Sequence, residues 1–217
     1  MPSVTARGNY PIPNLSDTAN GPTAFSSLAV DLEEHTTMKF ATAAARDAVL
    51  TVPVAPMMAF LTTPRQLTMY DGTGWVILAE PTQTYTPTLT NMTLGNGTRS
   101  GFSKRSDGWC DFAVEFVMGT TSAMGTDPSF SLPYTTGTGA YNSMLVARTF
   151  QSAGSVVRAA IAEVTGGSFG TAVTAKVIDT AGATALSLAI TATVPHTWTT
   201  SSTLHISGRY PMTTRYT

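Results

Sequence analysis

The sequence is short of charge. Only 12% of its 217 residues are Asp, Glu, Lys or Arg, about half of the roughly 25% usual in a soluble domain. Twelve cations nearly balance thirteen carboxylates, leaving a net charge of -1. Arg7, Lys39, Arg46, Arg65, Arg99, Lys104 and Arg105 are spread along the chain. That pattern offers no footprint for nucleic acid and no polybasic membrane patch. No apolar run approaches the roughly 18 residues of a membrane-spanning helix, so no membrane insertion is expected. Met1 to Tyr10 lacks the apolar stretch of a signal peptide, so synthesis in a cytoplasm is expected. The single cysteine, Cys110, excludes an intrachain disulfide framework.

What is abundant is threonine, with 39 residues. Threonine is β-branched and fits a pleated, half-buried surface better than a helix interior. With 42% hydrophobic residues, the chain has the material for a core. An all-β protein with a neutral, hydroxyl-rich exterior is expected. Low charge also leaves little repulsion between copies, which is compatible with oligomerisation.

The pattern along the chain predicts three regions: 1–38, 39–82 and 83–217. Residues 1–20 read as an extended arm, since Tyr10-Pro11-Ile12-Pro13 fixes φ at alternate positions. A short helix follows over Pro22 to Thr36, with Asn20 as cap and Pro22 in its first turn. Phe25, Leu28, Leu32 and His35 are spaced like the a/d seam of a coiled coil. Two heptads are too few to hold a coil alone. The seam therefore reads either as a helix packed on its own domain or as a small bundle about a symmetry axis.

A helical turn is expected within Ala41 to Leu50. It precedes a small β-meander of Met57 to Leu61, Gln66 to Tyr70 and Trp75 to Ala79. Beyond Glu80-Pro81-Thr82, apolar stretches recur about every ten residues. Trp109 to Met118 is the clearest strand, with Cys110, Phe112, Val114, Phe116 and Met118 on one face and Asp111, Ala113 and Glu115 on the other. Leu186, Leu188, Ile190, Ala192 and Val194 repeat the alternation, as do Leu204, Ile206, Gly208 and Tyr210. Further strands are expected at 86–94, 101–106, 144–150, 156–164 and 171–178. Asn96-Gly97 and Asp107-Gly108 supply hairpin turns. Eight or so antiparallel strands, each with one apolar face, predict a jelly-roll-like β-sandwich.

Gly8-x-Tyr10-Pro11-x-Pro13, then Asn20-Gly21-Pro22 and a short helix, resembles the start of small bacteriophage minor tail proteins. So do Phe40 with Ala45-Arg46-Asp47-Ala48, Pro56-Met57, and Tyr70-Asp71-Gly72-Thr73-x-Trp75-Val76. The run from Tyr85-Thr86-Pro87 to Gly95-Asn96-Gly97-Thr98 is similar to receptor-binding modules of phages that infect actinobacteria. Ser131-Leu132-Pro133 and Val194-Pro195-His196-Thr197-Trp198 belong to the same pattern. The resemblance implies a homotrimeric tail fibre or minor tail protein in the virion tail. It implies attachment to other virion proteins through residues 1–20, and contact with a host surface glycan or envelope polymer through the distal sandwich. It carries no catalytic residues. A head fibre, decoration or tail-tip adaptor that binds only virion proteins is the alternative expectation.

The residues themselves offer little chemistry. Asp111 and Glu115 share a strand face, but four residues place their backbones roughly 13 Å apart, beyond the roughly 5–9.5 Å of a glycosidase pair. Cys110 reads as a small core hydrophobe. His35, His196 and His205 lack metal-ligand spacing. Gly95-Asn96-Gly97 and Gly137-Thr138-Gly139 lack the Lys-Ser/Thr and helix of a phosphate loop. No enzyme activity, cofactor or metal is expected. Tyr134 to Asn142 is the best candidate binding segment, with Tyr134, Tyr141 and Asn142 on a Thr/Gly-rich loop of a rigid scaffold. Trp198 reads as structural.

Overall fold

The computed structural model describes residues 3–4, 11–12, 21–137, 144–165, 170–179 and 186–213. It is mainly β, with sixteen strands and two helices among the described residues. The chain divides into two compact units, one ending at Glu80 and the other running from Pro81 to Arg215.

In the first unit, β1 (Ser3–Val4) and β2 (Pro11–Ile12) pair antiparallel. The helix α1 spans Gly21–His35, while its expected cap, Asn20, lies outside the described residues. Its last turn is tied off where the Thr36 hydroxyl donates to the Leu32 carbonyl at 2.5 Å. The chain then forms β3 (Thr37–Phe40), α2 (Ala43–Val49), β4 (Met58–Leu61), β5 (Gln66–Tyr70) and β6 (Trp75–Ala79). The extended Thr42 caps α2, its side chain accepting the Ala45 N–H at 3.1 Å. The Asp71 carboxylate accepts the N–H groups of Thr73 and Gly74, which shapes the turn into β6.

The expected three-stranded meander is in fact part of a four-stranded mixed sheet of order β3-β4-β5-β6. β3 runs parallel to β4, and parallel neighbours need a crossover, which α2 supplies. Met57, Ala59 and Trp75 form a small core, with Met38, Phe40, Leu50 and Tyr70 against it. Arg46 of α2 is fully buried. Its guanidinium lies 4.3 Å over the Trp75 ring, with Nε donating to Asp47 and Nη1 to the Thr68 hydroxyl. The Thr68 hydroxyl in turn donates to the Ala59 carbonyl at 2.9 Å. One side chain therefore joins helix and sheet through stacking and directed hydrogen bonds.

The second unit holds β7 (Gln83–Tyr85), β8 (Leu89–Thr93), β9 (Thr98–Ser106), β10 (Trp109–Val117) and β11 (Ala123–Ser131). It continues with β12 (Met144–Gln151), β13 (Val156–Thr165), β14 (Ala172–Asp179), β15 (Leu186–Ala189) and β16 (Thr203–Pro211). Nine follow the order β7-β9-β10-β16-β12-β13-β14-β11-β8, and β15 also pairs with β14. Consecutive strands β7 and β8 thus lie at opposite ends of the path. A flat sheet would hold them about 38 Å apart at roughly 4.8 Å per strand. The link from Tyr85 to Leu89 reaches at most about 14 Å. The sheet must curl until its two ends meet. At that seam the Tyr85 hydroxyl of β7 donates to the Ser131 carbonyl of β11 at 3.4 Å.

The curl encloses one core. Cys110, Phe112, Val114, Phe116 and Met118 are all buried, together with Phe130, Ile190, Leu204, Ile206 and Tyr210. Two turns lock one mouth of it. The Asn96 side chain accepts the Thr121 N–H at 2.9 Å and donates to the Thr120 hydroxyl at 2.9 Å. This approach leaves no room for a Cβ at Gly119, which would stand 2.6 Å from the Gly97 backbone nitrogen.

Two strand expectations need correction. The alternation over 186–194 ends early, because β15 stops at Ala189. Thr191 closes a turn on itself, its N–H donating to the Val194 carbonyl at 3.1 Å, and Pro195 has no N–H for a ladder. The segment 123–131, not expected as a strand, is β11, with its pairing to β8 broken by a bulge between Met124 and Ser129.

Candidate functional site

The β9–β10 hairpin closes through Asp107 and Gly108, with φ of 47° and 78°. Two left-handed residues make the tight turn that matches strand twist. The turn sets Arg105 opposite Cys110 and Ser106 opposite Trp109. Alternation then sends Cys110 and Phe112 into the core and leaves Trp109 and Asp111 outside. On the other side of β10, Trp109 lies opposite Pro211 and Asp111 opposite Arg209.

On the inner side of this hairpin end stands Tyr134. Its N–H donates to the Tyr210 hydroxyl at 3.2 Å, and its carbonyl accepts from that hydroxyl at 2.9 Å. The Met212 N–H donates to the Gly108 carbonyl at 2.8 Å, which fixes the following segment against the turn. The Arg105 guanidinium lies 4.6 Å over the Tyr134 ring. Arg105, Pro133, Tyr134, Thr135 and Met212 line a cavity of about 290 Å³. Burial, with a contribution from Cys110, pushes the Tyr210 and Tyr85 phenols above their ordinary range. Both therefore stay neutral at physiological pH and act as hydrogen-bond donors.

On the outer side, the Arg209 guanidinium lies 5.2 Å over the Trp109 ring, and its Nε is 3.7 Å from the Asp111 carboxylate. These residues did not stand out as a site in the sequence, although a signal was present. The alternation that buries Cys110 puts Trp109 on the polar face with Asp111.

The structure brings Tyr134 to a cavity wall, half-buried and packed on the core. Tyr141 and Asn142 lie outside the described residues. On α1, Phe25 and Leu32 are 75% and 41% exposed and Leu28 is half-buried. His35 is the last residue of α1, and its side chain is not among those described. His205 sits between Glu115 and Arg148 in the register of the outer face. Trp198 is buried, its indole N–H donating to the Thr191 carbonyl at 3.0 Å. A second, more open concavity of about 650 Å³ lies where Asn91 faces the β11 bulge, and there Asp127 is paired with Lys176 at 2.6 Å.

Among the described residues, no group of three or more His, Cys, Asp or Glu is placed to hold a metal ion. No described helix is long and apolar enough to cross a membrane. Fold and geometry together define a class: a mainly β protein that presents aromatic rings and guanidinium groups at one hairpin end. Among known proteins, no family, no curated protein and no solved structure matches the chain.

Proposed function

We propose that this chain is a structural protein of a phage tail, a trimeric tail fibre or minor tail protein that attaches the particle to the host cell surface. The observation that carries the trimer is the apolar stripe of α1. Phe25 is 75% and Leu32 41% exposed in a single chain, and burying that remaining surface against copies of the same seam would recover hydrophobic free energy. The ordered motifs from Tyr10-Pro11 to Pro195-His196-Thr197-Trp198 support placement on a phage tail.

In this reading the curled sheet of the second unit is a jelly-roll-like sandwich carried outermost, and residues 1–20 dock on other virion proteins. The sandwich contacts a host glycan or envelope polymer through shallow sites. Threefold repetition raises the avidity of such weak contacts far above a single-site affinity.

The test is a phage whose gene lacks residues 83–217. Intact particles that no longer adsorb are expected. Failure of particle assembly would instead favour an adaptor that binds only virion proteins.

A further inference from the structure

Three tryptophans occur in the chain. Trp75 and Trp198 are buried, whereas Trp109 is 42% exposed on the outer face of the curled sheet. An indole this exposed at a fixed, paired strand position is unusual, because tryptophan is ordinarily well buried. Its neighbours are polar in a particular order. Asp111 lies directly opposite Lys104 on one flanking strand and Arg209 on the other. The result is an indole with the Arg209 guanidinium 5.2 Å over its ring, leaving the other face for a ligand, beside a row that reads cation, carboxylate, cation.

From this arrangement we infer that the outer face of the β9–β10 hairpin end is a saccharide subsite that takes a neutral pyranose ring on Trp109. The inference rests on the attachment reading above and names the ligand class at the same hairpin end. A pyranose has one face of C–H groups and a rim of hydroxyls. The indole matches the first by apolar contact. The rim needs donors and acceptors together, since each hydroxyl both donates and accepts. Arg209 and Lys104 supply donors, and the Asp111 carboxylate supplies acceptors. The same carboxylate, 3.7 Å from Arg209 and opposite Lys104, offsets one of the two positive charges, so the row does not demand an anionic sugar. The backbone carrying the platform is fixed by ladders on both sides, so little ordering is lost on binding.

The experiment uses the full-length protein and four probes: the methyl glycosides of glucose, galactose and mannose, and methyl glucuronide. Saturation-transfer NMR reads contact with each sugar, and a pull-down with host cells reads attachment. Wild-type protein is expected to bind at least one neutral glycoside with a dissociation constant on the order of 1 mM. Trp109→Ala, shown to be folded by a cooperative thermal melt, is expected to weaken both readouts by about tenfold or more. Arg209→Ala, which keeps the indole, is expected to weaken them less. Wild-type protein that binds cells but no glycoside would overturn the inference and leave the attachment reading standing. Equal binding by wild type and Trp109→Ala would do the same, and tighter binding of the glucuronide would overturn the neutral-ring assignment. Glycoside binding without cell binding would support the subsite and count against host attachment.

Discussion

His196 is buried against Trp198, with ring centroids 4.6 Å apart, and neither ring nitrogen has a hydrogen-bond partner among the described residues. Burial, reinforced by the positive charge of Arg158, lowers its pKa from the ordinary 6.5. The sign follows from linkage. Below about 6.5 the unfolded chain takes up a proton that the folded chain resists, so stability falls as pH drops toward the lower folded pKa. Thermal melting is expected to be lower at pH 5 than at pH 7.5. His196→Phe, which keeps the ring contact and removes the titration, is expected to narrow that difference. An unchanged pH dependence in the variant would show that other groups set it. Arg46 is the second residue whose role exceeds its type. Sequence placed it among scattered cations, yet it is fully buried and stacks on Trp75. Lysine keeps the charge but loses the planar stack and the fork of donors. Arg46→Lys is expected to cost about 1–3 kcal/mol of stability, read as a lower midpoint in urea denaturation.

At the scale of elements, α1 is the feature whose surroundings matter most. Fifteen helical residues are marginal alone in water, and in one chain Phe25 is exposed and Leu28 and Leu32 are only partly covered. Leu28→Glu combined with Leu32→Glu is expected to convert a trimer to monomers in sedimentation velocity while the curled sheet still melts cooperatively. A wild-type protein that sediments as a monomer at micromolar concentration would contradict the trimer. Legibility also differs by element, for physical reasons. β10 was readable because strict alternation from Cys110 to Met118 meets a two-residue turn that permits one register. α1, β5 and β6 carried clear periodicity and turn signals. β11 was not readable, because Gly125, Asp127 and Pro128 interrupt it, and Asp127 takes a φ of 53° within the bulge. β3 was hidden because its pairing is parallel and its partner, Met58–Leu61, lies beyond α2. Of the candidate site, Tyr134 was legible from its loop composition. Its partner Arg105 was not, nor was the Arg209–Trp109 contact, since both depend on which strands become neighbours.

For the whole molecule, the central structural result is a sheet that curls until β7 and β8 meet, enclosing a single core. Such a scaffold fixes the hairpin end around Asp107-Gly108 and presents rings and cations on both of its faces. The sparse charge and abundant threonine fit this design, since threonine is the commonest residue at the exposed positions described. In the proposed function that presentation serves host attachment, with three copies held together by α1. The most direct measurement is competition for adsorption. Host cells are incubated with purified full-length protein, washed, and then challenged with phage. Saturable protein binding to the cells and a dose-dependent fall in phage adsorption are expected, with the Leu28→Glu, Leu32→Glu double variant needing a much higher concentration. Protein that leaves adsorption unchanged at every concentration, while still incorporating into virions, would contradict it.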